Sequence, residues 1–319
     1  MVCRRARHGV PERVARRRSH YSGCVDDRLL LVHAHPDDES LTTGGTIARY
    51  AAAGVEVTLV TCTLGEEGEI IPPELGQLGA DAADQLGGYR AGELQRACAA
   101  LGVHRHYYLG GIGRWRDSGM AGSASARHPR ALVAGAIAEQ VEQLRAVLDE
   151  VRPQVVVTYD ADGGYGHPDH IRAHEITMAA TADADPVRRV LYTVVPRTPA
   201  GHALAALREY DGLPFTVPDL DELPVVADER AHVAVDVAGH TDARLRALQA
   251  HRTQVSVWRD QAGNGACFAL SNGMALPNAD TEYFELARDV SEDGTGPRAG
   301  GAVLAQHPEV ATDLFGGIR

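Results

Sequence analysis

Two short segments concentrate the groups able to do metal and acid–base chemistry: His35-Pro36-Asp37-Asp38-Glu39 and Gly166-His167-Pro168-Asp169-His170. In each, a histidine and a second donor stand three residues apart around a proline, so the two can converge on one point. The donors are imidazole and carboxylate, with no thiolate. Two histidines and one carboxylate leave a coordination position open for water, the ligand set of a catalytic zinc site; a closed structural site needs a fourth protein ligand. Such a metal lowers the pKa of water from 15.7 to about 7, and a spare carboxylate nearby can take the remaining proton. Fe²⁺ fits the same donors. Taken alone, either segment could be a polar turn whose aspartate caps the next helix. That reading has to be invoked twice here, each time just after an apolar run.

Those runs decide where the motifs sit. Residues 28–34 read as a buried strand, 41–53 as a helix and 55–63 as a second strand. Residues 84–101 read as a helix, with Leu86, Leu94, Ala97, Cys98 and Leu101 at helical spacing, and 106–109 as a short strand. A long amphipathic helix over 131–151 stops before Pro153, then come a strand at 154–159, a helix at 168–181 and a strand at 189–195. Strands alternating with helices imply an α/β fold of right-handed crossovers, a Rossmann-like, mainly parallel sheet flanked by helices. Ligands in such sheets bind beyond the carboxyl ends of the strands. Both motifs follow strands, so one sheet edge receives them although Asp38 and His170 lie 132 residues apart. Beyond residue 200 the pattern loosens into a strand at 232–237, a helix at 240–252 and a strand at 282–287, additional C-terminal elements on the same domain. Gly110-Gly111-Ile112-Gly113 fails the dinucleotide spacing, because Arg116 stands where the third glycine belongs.

Composition narrows the classes further. The net charge is −12, yet residues 1–20 hold seven arginines against Glu12, which leaves −18 on the remainder. An acidic body repels phosphate backbones and argues against nucleic acid as a partner. All 31 basic residues are arginine, which excludes Schiff-base and P-loop lysine chemistry. No run approaches the ~18–20 apolar residues of a membrane span. Five unpatterned cysteines argue against a disulfide framework and point to the cytoplasm. Residues 1–25 read as a basic, disordered leader, since no apolar segment follows the arginines. Residues 26–290 read as a single catalytic domain, and 291–319, rich in Gly and Pro, as a flexible tail.

At the level of whole motifs the chain resembles the LmbE-like zinc-dependent deacetylases, which remove acyl groups from N-acylated glucosamine units. The likeness runs through Val32–Ser40, Thr61–Glu69, Gln85–Arg90, Gly113–Met120 and Gly163–His170, and spans roughly residues 28–290. It is strongest to the branch that acts on an N-acetylglucosaminyl-inositol pseudodisaccharide in mycothiol biosynthesis. A sister branch, the mycothiol S-conjugate amidases, carries a lysine shortly after the first motif; here Leu41-Thr42 stands there. The resemblance implies one Zn²⁺ per chain on His35, Asp38 and His170. It implies Asp37 as general base, His167 as general acid oriented by Asp169, and Tyr165 as a stabiliser of the oxyanion. Arg90, Asp117 and Glu69 would hold substrate hydroxyls. A deacetylase of another amino sugar shares these features, whereas a sugar-binding protein without activity would not need Asp37.

Overall fold

Leu29, Leu30 and Leu31 are each fully buried, and a strand covered on both faces belongs at the centre of a parallel sheet. In the computed structural model, which describes residues 27–260, 265–290, 298–299 and 310–318, that strand is β1 (Arg28–His33). It pairs in parallel with β2 (Glu56–Thr61) on one side and β4 (Val155–Thr158) on the other. Parallel β3 (Arg105–Tyr108) and β5 (Arg189–Val194) flank these. Helices α3 (Leu86–Leu101), α4 (Ile137–Val151) and α6 (Pro168–Thr181) make the crossovers. Two apolar cores result, one on each face: Leu29, Leu31, Val57 and Leu59 point into the first, Leu30, Val32, Val60 and Val156 into the second. This is the α/β architecture expected from the sequence.

Three differences have physical reasons. The helix expected over 41–53 is two, α1 (Asp38–Thr42) and α2 (Gly44–Ala52), broken at Thr43, whose hydroxyl bonds the Glu39 carbonyl. Past the break Gly45 lies so close to Val237 that a Cβ would come within 2.6 Å of it. The long helix starts at Ile137, not 131: a 3₁₀ turn over Leu132–Ala134 and an extended Gly135 precede it, and Gly135 packs so close to Trp115 that a Cβ would sit 2.3 Å from the indole. The C-terminal part contains more structure than its pattern suggests. A helix α7 (Arg197–Leu207) leads to β6 (Val233–Asp236) and α8 (Thr241–Ala250). A separate antiparallel sheet follows, made of β7 (Ser256–Arg259), β8 (Ala266–Ala269) and β9 (Leu276–Pro277). Next, β10 (Thr281–Asp289) joins the main sheet antiparallel to β5, β6 and β11 (Arg298–Ala299).

The leader lies outside the described residues, as does most of the expected tail. Residues 310–318 do not behave as a free end: Leu314 and Phe315 are buried, Tyr50 donates to the Asp313 carboxylate, and the Leu314 N–H returns a bond to the Tyr50 hydroxyl at 2.7 Å. Two large apolar side chains in a stretch otherwise rich in glycine are enough to pin it. No helix among the described residues is long and apolar enough to cross a membrane.

His106, on β3 and bonded to the Thr61 hydroxyl at 3.0 Å, is held down to about pH 4 by burial, against the weak pull of Glu39. Below about pH 6.5 the unfolded chain takes up a proton that the folded chain refuses, so stability falls from there towards pH 4. His106→Gln should therefore lose about 1–2 kcal/mol less than the parent between pH 7.5 and 5, read by urea unfolding.

Candidate active site

Leaving β1, the chain turns at Pro36 and enters α1 through Asp37, whose φ of 112° is strained for a residue with a side chain. Strain of that kind costs about 1–3 kcal/mol and persists only where surrounding contacts enforce it. On the neighbouring strand β4 the chain passes through a kinked turn, α5 (Gly163–Gly166), and enters α6 with His167 as N-cap and Pro168 at the first helical position. Because β1 and β4 are parallel neighbours, the two turns meet. His35 approaches His167 and His170 with ring centroids 4.6 and 5.3 Å away.

Asp38 lies between two imidazoles, its Oδ2 3.5 Å from His35 Nδ1 and its Oδ1 3.5 Å from His170 Nε2. It is held by the His35 N–H at 2.8 Å and the Tyr159 hydroxyl at 2.7 Å. On its other side His35 Nε2 faces Asp169 at 3.3 Å and Asp117 at 3.5 Å. Donor atoms of His35, His167 and His170 lie within 4.8 Å of one another, as do those of His35, Asp117 and Asp169. Every one of these side chains is buried. His170 stays neutral, its pKa lowered to about 3 chiefly by burial, and its Nε2 is buried with no hydrogen-bond partner. Burial opposes charge on His35 too, but Asp117, Asp169 and Asp38 around it raise its pKa well above the usual value. An unpartnered neutral imidazole nitrogen among carboxylates is what a divalent cation requires of its ligands.

Asp37 is pushed up to about 7 by burial, with Arg90 opposing and the nearby Asp38 and Glu39 charges reinforcing. Arg90 on α3 donates to Asp37 Oδ2 at 3.1 Å, to the Gly65 carbonyl at 2.7 Å and to the Pro36 carbonyl. The guanidinium that the resemblance assigns to substrate is thus turned inward. Asp117 is likewise occupied, accepting from Gly119 N–H at 2.8 Å and Glu67 N–H at 3.3 Å. Asp169 offers its backbone N–H to His167 Nδ1 at 3.1 Å, while its carboxylate serves His35 and the Ser118 N–H. Orientation of His167 therefore comes from the helix terminus and not from the Asp169 carboxylate. Tyr165 is 55% exposed on the kinked turn, its ring 5.0 Å from that of His170. Glu69 is exposed on the loop after β2. Beside the site, a cleft of about 600 Å³ is lined by Glu67, Asp84, Arg116, Ser125, Arg127 and His128 among others. It adjoins the centre through the bond from Glu67 to Asp117.

Three participants have no signal in the spacing of the motifs. Tyr159 ends the β4 region, stacks on His170 at 4.1 Å and holds Asp38. Glu39, inside the first motif but without an assigned role, pairs with His251 at 2.7 Å across 212 residues.

The clustered donors are of a kind that could hold a metal ion, and the comparisons give the chain's kin. Residues 30–181 match the family described as PIG-L: GlcNAc-PI de-N-acetylase. A protein of Actinosynnema mirum named 1D-myo-inositol 2-acetamido-2-deoxy-alpha-D-glucopyranoside deacetylase is 58% identical over 291 residues, covering 91% of this chain and 97% of the relative. One of the same name from Saccharomonospora viridis is 58% identical over 290 residues, covering 91% of this chain and all of the relative. Another from Mycobacteroides abscessus is 53% identical, covering 84% and 95%. The chain belongs to this deacetylase family.

The Tyr159 hydroxyl bridges Asp38 and the Ala34 N–H, the latter at 2.9 Å, in a fully buried place. Tyr159→Phe leaves that N–H unsatisfied and should cost about 1–3 kcal/mol of unfolding free energy in urea.

Proposed function

We propose that this chain hydrolyses the acetamide of 1D-myo-inositol 2-acetamido-2-deoxy-α-D-glucopyranoside, releasing acetate and the free amine, as a step of mycothiol biosynthesis. The observation that carries the reading is the 58% identity, over nearly the whole length, to relatives named for that reaction. The buried donors fit a metal, since His170 Nε2 has no partner and three carboxylates crowd His35. His35, Asp38 and His170 would hold it, as Zn²⁺ in this reading, with Fe²⁺ compatible. When bound, the metal polarises the amide carbonyl and acidifies water.

The chain's own residues do the rest. Asp37, with one oxygen tied to Arg90, takes the proton of the attacking water on the other. As the imidazolium, His167 donates a proton to the departing nitrogen and is left neutral; the Asp169 N–H, 3.1 Å from Nδ1, orients the ring. Tyr165, exposed at the mouth, supplies a hydroxyl to the developing oxyanion. Asp169 and Asp117 hold His35, and Arg90 holds Asp37. Contact with substrate hydroxyls then falls to exposed Glu69 and to the polar cleft beside Asp117, whose mixed charges suit a neutral polyol. The partner is a small pseudodisaccharide, not a nucleic acid or a membrane. Buried free thiols at Cys62, Cys98 and Cys267 support a cytoplasmic setting.

The test is release of acetate and amine by purified, metal-loaded protein from N-acetylglucosaminyl-inositol, from a mycothiol S-conjugate and from N-acetylglucosamine. The first should give the highest kcat/KM. Preference for either of the others moves the chain to a sister amidase or another amino-sugar deacetylase. Asp37→Ala should keep the metal and lose about 10²–10⁴ in kcat; a parallel fall in metal content would make Asp37 a ligand instead. His170→Ala should lose metal first, measured by elemental analysis after dialysis, and full occupancy would remove it from the ligand set.

A further inference from the structure

Asp37 stands at a φ of 112°, so something must hold it there. Its backbone N–H donates to Glu39 Oε2 at 2.9 Å. Glu39 is fully buried, and its other oxygen receives the Ser40 hydroxyl at 2.5 Å and His251 Nε2 at 2.7 Å. His251, also fully buried, follows α8, and two residues on Thr253 gives its N–H and hydroxyl to Glu93 at 3.0 and 2.6 Å. Glu93 is on α3, one turn beyond Arg90, and positions three apart share a helix face. The loop closes there: Arg90 holds the Asp37 carboxylate at 3.1 Å, while Glu93 holds the segment that carries His251. One face of α3 thus governs both the side chain and the backbone of Asp37.

We propose that Glu39 and His251 are positioning residues that keep Asp37 in its strained conformation, with its carboxylate aimed at the reacting water. The proposal rests on Asp37 being the base. It explains why a carboxylate and an imidazole are buried together with no route to substrate. Neither touches the reacting atoms, and neither is needed to fill a metal's coordination shell. The cost of burying the pair is offset by its mutual hydrogen bond and by the two donors that Glu39 accepts.

His251→Leu keeps bulk and removes the donor, whereas His251→Gln restores one. In the full-length, metal-loaded protein, His251→Leu should lower kcat about 10- to 100-fold with KM and metal content little changed, and His251→Gln should recover most of the loss. A second readout needs no substrate. Amide hydrogen exchange of Asp37 should quicken several-fold in His251→Leu and return towards the parent rate in His251→Gln. A folded His251→Leu protein with parental kcat and parental exchange overturns the proposal, as does a glutamine variant no better than leucine. If the parent releases no acetate from any of the three substrates while exchange behaves as expected, the assigned reaction fails and the hold on Asp37 stands. Unchanged exchange in that case removes both.

Discussion

β1 and β4 lie side by side and parallel, with Leu29 opposite Val155, Leu30 opposite Val156 and Leu31 opposite Val157. This register makes the two proline-bearing turns leave the sheet at one edge, and six buried side chains from two distant segments meet there. Hydrogen bonds alone do not specify that register. The residues of each strand alternate between two apolar cores, and a one-residue slip would turn every leucine of β1 towards the wrong face. Packing of aliphatic side chains thus fixes the spacing of imidazoles and carboxylates that have no direct bond strong enough to find each other.

The edge so formed carries more carboxylate than its histidines balance. Asp37, Asp38, Glu39, Asp117 and Asp169 are all buried within one neighbourhood, and each is held by a specific donor: an arginine, a tyrosine, an imidazole or a backbone N–H. Uncompensated charge at such depth costs several kcal/mol per ion. The arrangement fits the cation proposed above, and in that reading the donors around it belong as much to the site as the ligands do.

How far the sequence revealed this depends on the range of the interaction. His35, Asp37, Asp38, His167, Asp169 and His170 are legible because local spacing and a preceding apolar strand bring each trio to the sheet edge. The strands and helices up to residue 195 are legible for the same reason, apart from the break at Thr43, just before Gly45 meets Val237, and the late start of α4 after Gly135, which packs against Trp115. Arg90 and Asp117 reach the centre but face inward, towards Asp37 and His35, while Glu69 stays at the surface. Helix α7 and the small β7–β8–β9 sheet, with short and weakly patterned strands, are not legible. Nor is His251, whose partner is 212 residues away and whose role exists only once α8 has packed on α3.

The carboxylate of Glu282 on β10 accepts the N–H groups of Gly45 and Thr46 at 2.9 and 2.8 Å, in the first turn of α2. Arg244 reaches the carbonyls of Ser40 and Leu41, and Leu314 bonds Tyr50. The segment from β1 to α2 is thus finished by groups that leave the ribosome late. At about 5–20 residues per second, the nascent chain waits on the order of ten seconds or more between exposing the His35 turn and receiving its closing contacts. During that interval Glu39 has no imidazole beside it and α2 has no carboxylate at its amino end. Premature termination before His251 would therefore yield a chain with both motifs present and neither of these contacts made, a natural substrate for quality-control proteases.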